Sequence, residues 1–139
     1  MTTPDTRGML DTSTVILLGR LTESSALPLD SVISAITLAE LSVGPHVART
    51  NKERVARQAH LQQAESDFEA IPFGPEAARA FGRVAASLRA AGRKPAARTY
   101  DALIAASALA ENVPIYTCNP GDFEGIDGLE VRPLPYPDS

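Results

Sequence analysis

Short apolar runs alternate along this chain with longer segments of helical periodicity, and the two kinds of segment predict different elements. The short runs predict five strands, at residues 8–11, 31–36, 69–73, 113–118 and 129–134. The longer segments predict helices from residue 12 to about 19, from Thr37 onwards, over 51–67, from Pro75 to about Ala91, and over 99–110. Strands that alternate with helices indicate an α/β fold, with a mainly parallel central sheet of about five strands flanked by helices.

Two of the predicted helices have contrasting patterns. The segment 99–110 is apolar at most positions, which predicts a helix buried on more than one side. The segment 51–67 is largely polar and reads as an amphipathic helix. Its apolar stripe is expected around Val55, Ala59, Leu61 and Gln62.

The composition is that of a globular protein, with 139 residues, 44% hydrophobic and 22% charged. We expect one domain over residues 8–134, with an N-terminal extension at 1–7 and a C-terminal tail at 135–139. No apolar run approaches the roughly 18 residues that a membrane span requires. The opening MTTPDTRG also lacks the basic and apolar layout of a signal peptide. These features predict a cytoplasmic protein that does not enter a membrane.

The single cysteine, Cys118, excludes an internal disulfide and suits a reducing compartment. A catalytic thiol needs a nearby base, but His46 and His60 fall in unrelated helical stretches. We therefore predict that Cys118 is a small packed residue at the end of a strand.

The net charge of −4 and the pI of about 5.1 argue against a nucleic-acid-binding protein, which usually carries an excess of basic residues. Bound divalent cations would, however, offset several acids. The basic residues are also unevenly spread, and four fall within ten positions: Arg89, Arg93, Lys94 and Arg98. This cluster is either the solvated end of a helix or a patch that contacts phosphate. In the second case Arg93, Lys94 and Arg98 are the candidate phosphate contacts.

Four carboxylates that are far apart in the sequence each sit where a strand-like run gives way to a helix start, or at a comparable sheet edge: Asp11, Glu40, Asp101 and Asp122. Because the carboxyl ends of parallel strands share one edge of a sheet, we expect these acids to converge there. Four carboxylates at one point would repel one another strongly, and a divalent cation is the simplest remedy. An oxygen-rich pocket of this kind suits Mg²⁺ or Mn²⁺.

Each of these acids also has a purely structural interpretation. Asp11 suits a helix N-cap, and Asp101 suits the first turn of a helix, where it would favour the dipole. The segment Thr37–Glu40 matches the capping box, in which the glutamate reaches back to the cap amide. In the segment Asn119–Asp122 the asparagine is a good N-cap and the aspartate falls at the third helical position. The recurrence of acids at strand-to-helix junctions favours a shared site, but each residue alone leaves both interpretations open.

The same residues carry a resemblance to a known family. The opening LDTSTVILL resembles the Asp-Thr-Ser strand-to-helix signature of PIN-domain ribonucleases, in particular the VapC-type toxins of type II toxin–antitoxin systems. TLAELSVG resembles the Glu-bearing second helix of that family. AARTYDALIAASALAENVPIYTCNPGDF resembles its longest signature, which carries the third and fourth acidic positions. The resemblance covers residues 8 to about 134.

This resemblance implies a PIN-like three-layer fold and an endoribonuclease that depends on Mg²⁺ or Mn²⁺. Such an enzyme hydrolyses RNA phosphodiester bonds with a metal-activated water. The resemblance also implies a cognate antitoxin polypeptide that blocks the site, and a toxin that forms a homodimer.

The resemblance assigns residues by position. Asp11, Glu40 and Asp101 match the first three acids of the family. Asn119 stands where some members carry an acid, which shifts the fourth catalytic role towards Asp122. Asp11 and Asp101 are then the expected direct metal ligands. The residues expected to hydrogen-bond the acids or the phosphate are Thr12, Ser13 and Asn119.

Other functional classes fit less well. A phosphatase with an aspartyl nucleophile carries the motif DxDxT after its first strand. In this chain Ser13 stands where that motif has its second aspartate. A receiver-type signalling domain needs a late lysine, and no lysine follows Lys94. The alternative that stays open is a catalytically weak PIN-like protein that acts mainly through its antitoxin complex, because Asn119 departs from the family pattern.

Overall fold

The computed structural model of the protein describes residues 6–21 and 26–137. Its strands are β1 (Arg7–Leu10), β2 (Asp30–Ser34), β3 (Glu69–Ile71), β4 (Ile115–Thr117) and β5 (Val131–Pro133). Its α-helices are α1 (Thr12–Leu17), α2 (Ala35–His46), α3 (Asn51–Asp67), α4 (Pro75–Ala90) and α5 (Thr99–Glu111). Short 3₁₀ turns lie at Leu18–Arg20, Pro95–Arg98 and Pro120–Phe123. None of the helices described is long and apolar enough to cross a membrane.

The five strands form one sheet in the order β3-β2-β1-β4-β5, and each neighbouring pair is parallel. The predicted α/β fold with a five-stranded parallel sheet is therefore confirmed. The order reverses at β1, which lies at the centre of the sheet. Crevices for ligands in such sheets lie beyond the carboxyl ends of the strands, next to the strand at which the order reverses.

The sheet is covered on both faces, because successive strand residues point to opposite sides. Met9, Val32 and Ile115 belong to one buried cluster, which includes residues of α4 and α5. Their neighbours Leu10, Ile33 and Tyr116 belong to a second cluster, which includes residues of α1, α2 and α3. The result is the predicted three-layer arrangement of helices, sheet and helices.

One glycine in β1 is required by close packing. A Cβ atom at Gly8 would lie 2.5 Å from Cε1 of Tyr116, a residue of the neighbouring strand β4. The glycine therefore makes room for this aromatic ring on the central strand.

The predicted boundary between the second strand and its helix is wrong by two residues. Strand β2 ends at Ser34 and α2 begins at Ala35, where we expected a strand to residue 36 and a helix from Thr37. The physical reason is that Ser34 caps the helix, since its hydroxyl accepts a 3.0 Å hydrogen bond from the amide of Ile36. Glu40 consequently lies in the second turn of α2, and the capping-box interpretation of this residue is wrong.

Helix α3 has the predicted bounds, but its expected stripe is wrong. Val55, Ala59 and Gln62 are exposed, and the buried residue is Ala64. The helix is oriented by its contact with α2. There Nη1 of Arg57 donates a 3.0 Å hydrogen bond to the carbonyl of Gly44, and Leu61 and Ala64 on the same face pack in the second cluster.

Two other predictions are confirmed. Helix α5 buries most of its central residues, and Cys118 is a packed residue at the end of β4. Burial raises the pKa of the Cys118 thiol, which keeps it protonated. The expected extension at 1–7 is too long by one residue, because Arg7 opens β1. Residues 1–5 of that extension and residues 138–139 of the expected tail lie outside the described residues.

Candidate functional site

The four acids singled out in the sequence gather at the carboxyl edge of the sheet. Asp11 directly follows β1, Glu40 lies in the second turn of α2, and Asp101 lies in the first turn of α5. Asp122 lies in the 3₁₀ turn that follows β4. The charges of Asp122, Asp11 and Glu40 all act to raise the pKa of Asp101, so these three carboxylates lie within electrostatic reach of Asp101.

Asp11 is the most buried member of the cluster, with 2% of its surface exposed. It occupies the N-cap position of α1 without making a side-chain capping hydrogen bond. Its Oδ1 accepts a 2.5 Å hydrogen bond from the hydroxyl of Thr14, and its Oδ2 accepts from Ser13 at 3.0 Å and Thr117 at 3.1 Å. Burial raises the pKa of Asp11, while these three hydroxyl donors act to lower it. They hold the carboxylate in one orientation.

The hydroxyls that hold Asp11 are themselves fixed by the end of β4. Thr14 accepts a 3.1 Å hydrogen bond from the amide of Cys118, and Thr117 accepts a 2.9 Å bond from the amide of Asn119. The side-chain Nδ2 of Asn119 donates to the hydroxyl of Ser13 at 3.1 Å. The cap expected from Asn119 is therefore not formed by its side chain. That side chain reaches Asp11 indirectly, through Ser13.

Glu40 is oriented by a pair of threonines. The hydroxyl of Thr12 donates a 2.6 Å hydrogen bond to Oε1 of Glu40 and lies 3.0 Å from the hydroxyl of Thr37. A hydroxyl has only one hydrogen to donate, so Thr37 donates to Thr12. Burial raises the pKa of Glu40, the bond from Thr12 lowers it, and the charge of Asp11 raises it further.

Asp101 has the most perturbed ionisation at this edge. Burial, together with the negative charges around it, raises the pKa of Asp101 to about 6, although Arg98 acts to lower it. Nη1 of Arg98 forms a 3.0 Å salt bridge with Oδ1 of Asp122, so this guanidinium is already engaged by one acid of the cluster. A carboxylate with a raised pKa among other acids is typical of a functional site.

The basic cluster divides into two kinds of residue. Arg93 donates to the carbonyls of Gly121 at 3.2 Å and Glu124 at 2.8 Å, and so supports the turn that carries Asp122. Arg89 and Lys94 are exposed. The cluster is therefore partly built into the acidic edge and partly solvated.

The chemistry of the site is that of hard oxygen donors. Among the residues that the structure describes, no three His, Cys, Asp or Glu side chains form a group that could hold a metal ion as placed. A carboxylate oxygen can accept more than one bond, and Oδ1 of Asp11 accepts from a single hydroxyl, that of Thr14, whereas Oδ2 accepts from two. The arrangement fits a cation that takes one or two carboxylates and completes its shell with water, as Mg²⁺ usually does.

Three threonines of the site were not predicted as site residues: Thr14, Thr117 and Thr37, of which Thr37 was interpreted only as a helix cap. All three are fully buried polar residues that bond directly or indirectly to Asp11 or Glu40. A signal existed for Thr14, which stands three residues after Asp11 on a predicted helix. The position of Thr117 beside Asp11 depends on the pairing of β4 with β1, which the sequence alone does not show.

Known proteins match this chain over most of its length. Residues 9–129 match the family model of the PIN domain. Ribonuclease VapC5 of Mycobacterium tuberculosis is 35% identical over 130 residues, which cover 92% of this chain and 93% of that protein.

Solved structures also match the fold. VapBC-5 of Mycobacterium tuberculosis, a member of the VapBC family of toxin–antitoxin systems, matches with a TM-score of 0.81 and 34% identity, over 93% of this chain and 99% of the other. VapBC2 of Rickettsia felis, bound to a DNA fragment from its promoter, matches with a TM-score of 0.76 and 26% identity, over 92% and 98% of the two chains. With its matching sequence, its parallel sheet and the acids at the carboxyl edge, this chain belongs to the VapC group of the PIN-domain family.

Proposed function

We propose that this protein is an endoribonuclease that depends on Mg²⁺ or Mn²⁺ and acts as the toxin of a toxin–antitoxin pair. Its similarity to a VapC ribonuclease and to VapBC structures supports the reaction class. The observation that carries the metal dependence is the environment of Asp101, whose pKa is raised to about 6 by burial and by three neighbouring acids. A divalent cation would stabilise the ionised forms of all four.

In this proposal Asp11 and Asp101 would bind the ion directly, and Glu40 and Asp122 would hold it through water. A bound ion would supply an activated water for attack on the scissile phosphorus and positive charge against the phosphate. Asp11 suits direct binding because three hydroxyls fix its orientation, and only one of them bonds to Oδ1.

The remaining polar groups orient the acids and the substrate. Thr12 fixes Oε1 of Glu40, so that the other oxygen is left to hold the attacking water in line. In this proposal the exposed Lys94 contacts RNA phosphates, and Arg98 does so while it keeps its salt bridge to Asp122. Arg93 acts by shaping the turn of Asp122. A single-stranded or looped RNA is the preferred substrate, because its backbone can be splayed into a cleft.

The proposal includes a cognate antitoxin polypeptide that contacts the surface around α3 and the mouth of the site, and a homodimeric toxin. The similar structures from Mycobacterium tuberculosis and Rickettsia felis belong to toxin–antitoxin systems, which supports such a partner. An arginine from the antitoxin would pair with the carboxylates, displace the ion and stop cleavage. We expect the product of a neighbouring gene to co-purify with the protein and to abolish cleavage even with added Mg²⁺. A bound partner that leaves cleavage intact would contradict this blocking mechanism.

The activity itself is tested by removing one charge at a time. Asp11→Asn and Asp101→Asn should each lower metal-dependent RNA cleavage by more than about a hundredfold, since changes outside the ligands alone cost roughly 10–100-fold in metal sites. Circular dichroism should show that both variants remain folded. Glu69→Gln, at the opposite edge of the sheet, is the matched control and should cleave like the wild type.

The assay also separates this proposal from a protein that works mainly by binding its antitoxin. Purified, partner-free protein should cleave single-stranded RNA when Mg²⁺ or Mn²⁺ is added and should stop when the metal is chelated. Unchanged cleavage in both aspartate variants would refute the assigned site, and no cleavage by the wild type would favour the binding protein.

A further inference from the structure

A cavity of about 300 Å³ lies between helices α1, α2 and α3, next to the acidic site. It is lined by Thr12, Ile16, Glu40, Leu41, Gly44, Arg57 and His60. Thr12 and Glu40 also belong to the acidic site, so the cavity and that site share a wall. We propose that this cavity binds the nucleobase of an RNA nucleotide that flanks the scissile phosphate. The inference rests on the proposed ribonuclease function and adds a subsite that sets sequence preference.

The apolar part of the lining suits a flat ring. Leu41 is buried, while Ile16 remains 42% exposed although it is a large aliphatic residue. An isoleucine half open to water beside a charged site offers an apolar surface to a partner that is itself partly polar. A nucleobase has such a character, because its faces are apolar and its edges form hydrogen bonds.

The opposite part of the lining provides groups that stack on bases. Nη1 of Arg57 donates a 3.0 Å hydrogen bond to the carbonyl of Gly44, and Nη2 lies 3.9 Å from a carboxylate oxygen of Glu53. The aliphatic stem of Arg57 lies against Gly44, where a Cβ atom would be only 3.3 Å from its Cδ. The hydrogen bond and the packed stem position the guanidinium at this wall of the cavity, and His60 follows one turn later on α3. Guanidinium planes and imidazole rings both stack on unpaired bases.

Charge and size favour a base over other occupants. The carboxylate of Glu40 would repel a phosphate at this wall but tolerates a neutral base. The volume lies at the lower end of the roughly 300–1,000 Å³ of ligand pockets, which suits one planar group in the partner-free protein. The antitoxin proposed to contact the surface around α3 would cover the same cavity and exclude that group. Glu40 lines both the cavity and the acidic site. A base in the cavity therefore lies next to the scissile phosphate bound at the acidic site.

The test is a double-mutant cycle on cleavage of a short single-stranded oligoribonucleotide with one cleavage site. One substrate carries all its bases, and others carry an abasic nucleotide at either position flanking the cleaved bond. For the wild type, one of the abasic positions should lower kcat/KM by about tenfold, within the range for stacking of one base. His60→Ala should lower kcat/KM for the intact substrate by a similar factor and have little effect on that abasic substrate.

Two further variants keep the test interpretable. His46→Ala changes the other histidine of the chain, which is exposed at the end of α2 and lies outside the cavity lining, and it should leave both substrates unaffected. Ile16→Trp adds bulk at a partly exposed position of the lining. It should lower kcat/KM for the intact substrate more than for the abasic one.

The outcomes separate this inference from the function on which it rests. If the wild type cleaves RNA but the effects of His60→Ala and of base removal on kcat/KM are additive, the base site is overturned and the proposed ribonuclease function stands. If His60→Ala and Ile16→Trp spare both substrates but weaken binding of the antitoxin, the cavity belongs to that polypeptide and the inference is wrong. A wild type that does not cleave RNA would overturn both proposals.

Discussion

Carboxylates cluster at both ends of the central strand β1, and the two clusters differ in how their negative charge is neutralised. At its first residue, the guanidinium of Arg7 meets three acids on three other elements. Its distances to them are 3.4 Å to Asp30, 3.3 Å to Glu69 and 2.8 Å to Glu111. Directly after its last residue, Asp11 opens a cluster of four acids, in which Arg98 is already bound to Asp122.

The difference lies in where the positive charge comes from. At the amino end the cation is part of the chain, and the hydrogen bond and charge of Glu111 raise the pKa of Arg7 further. That group of ion pairs ties β1 to its neighbours and needs nothing from outside. At the carboxyl end the pKa values of Asp11, Glu40 and Asp101 are all raised, so the fold leaves negative charge there that an external cation can neutralise. Carboxylates at the amino end form structural ion pairs, whereas those at the carboxyl end have the raised pKa values that are typical of a functional site.

The largest expected effect within the acidic end, beyond the two aspartates already considered, is at Glu40. Because Ser34 rather than Glu40 caps α2, Glu40→Gln should leave the free energy of unfolding unchanged or slightly higher. Cleavage should fall by roughly 10–100-fold, as for other residues that support a metal site. Rates and urea denaturation of the same samples check both points. Wild-type cleavage by Glu40→Gln would remove this residue from the site.

Asp122 and Asn119 should differ in their effect on metal dependence. Asp122→Ala removes a negative charge and should raise the Mg²⁺ concentration for half-maximal cleavage by about tenfold or more, since carboxylates attract the ion more strongly than amides. Asn119→Ala breaks only an indirect link to Asp11 through Ser13 and should do less. Asn119→Asp adds a charge and is expected to tighten metal binding.

A metal titration of cleavage with the three variants decides between the two residues. An unaffected Asp122→Ala beside an inactive Asn119→Ala would reverse the assignment.

The amino end should respond in stability rather than in activity. Arg7→Gln leaves three carboxylates without their cation and should lower the free energy of unfolding by about 1 kcal/mol, because exposed ion pairs contribute roughly 0.2–1 kcal/mol each. Urea denaturation measures this change. Arg83→Gln, at an exposed arginine of α4, is the control and should have almost no effect. Reduced metal-dependent cleavage per folded molecule of Arg7→Gln would contradict the separation between the two ends.

Much of the site can be predicted from the sequence because the positions of its acids depend on short segments of chain. An acid just after a strand of a parallel sheet must lie at the carboxyl edge, which locates Asp11 after β1 and Asp122 in the turn after β4. Asp101 is located by its position in the first turn of an apolar helix. The role of Glu40 was harder to read, because two possible caps, Ser34 and Thr37, stand three residues apart. Only the packed structure selects between them.

What the sequence did not show depends on contacts between distant segments. Arg7 looked like part of a loose extension, since its three acidic partners are 23 to 104 residues away. The hydroxyl of Thr117 bonds to Asp11 only because β4 pairs with β1. The inward face of α3 is the one on which Ala64 and Leu61 pack against distant elements, and the apolar positions within the helix alone do not reveal it.

The most direct test of the central claim is a ¹³C NMR titration of the Asp101 carboxyl group, with and without Mg²⁺. Without metal the midpoint should lie near 6, compared with the ordinary value of 3.8. The folded protein then binds more protons than the unfolded chain between these values, so stability from this group is present at low pH and is lost as the pH rises through about 6. Saturating Mg²⁺ should move the midpoint well below 6. A midpoint near 3.8 that Mg²⁺ leaves unchanged would contradict the claim that these acids form a site for a divalent cation.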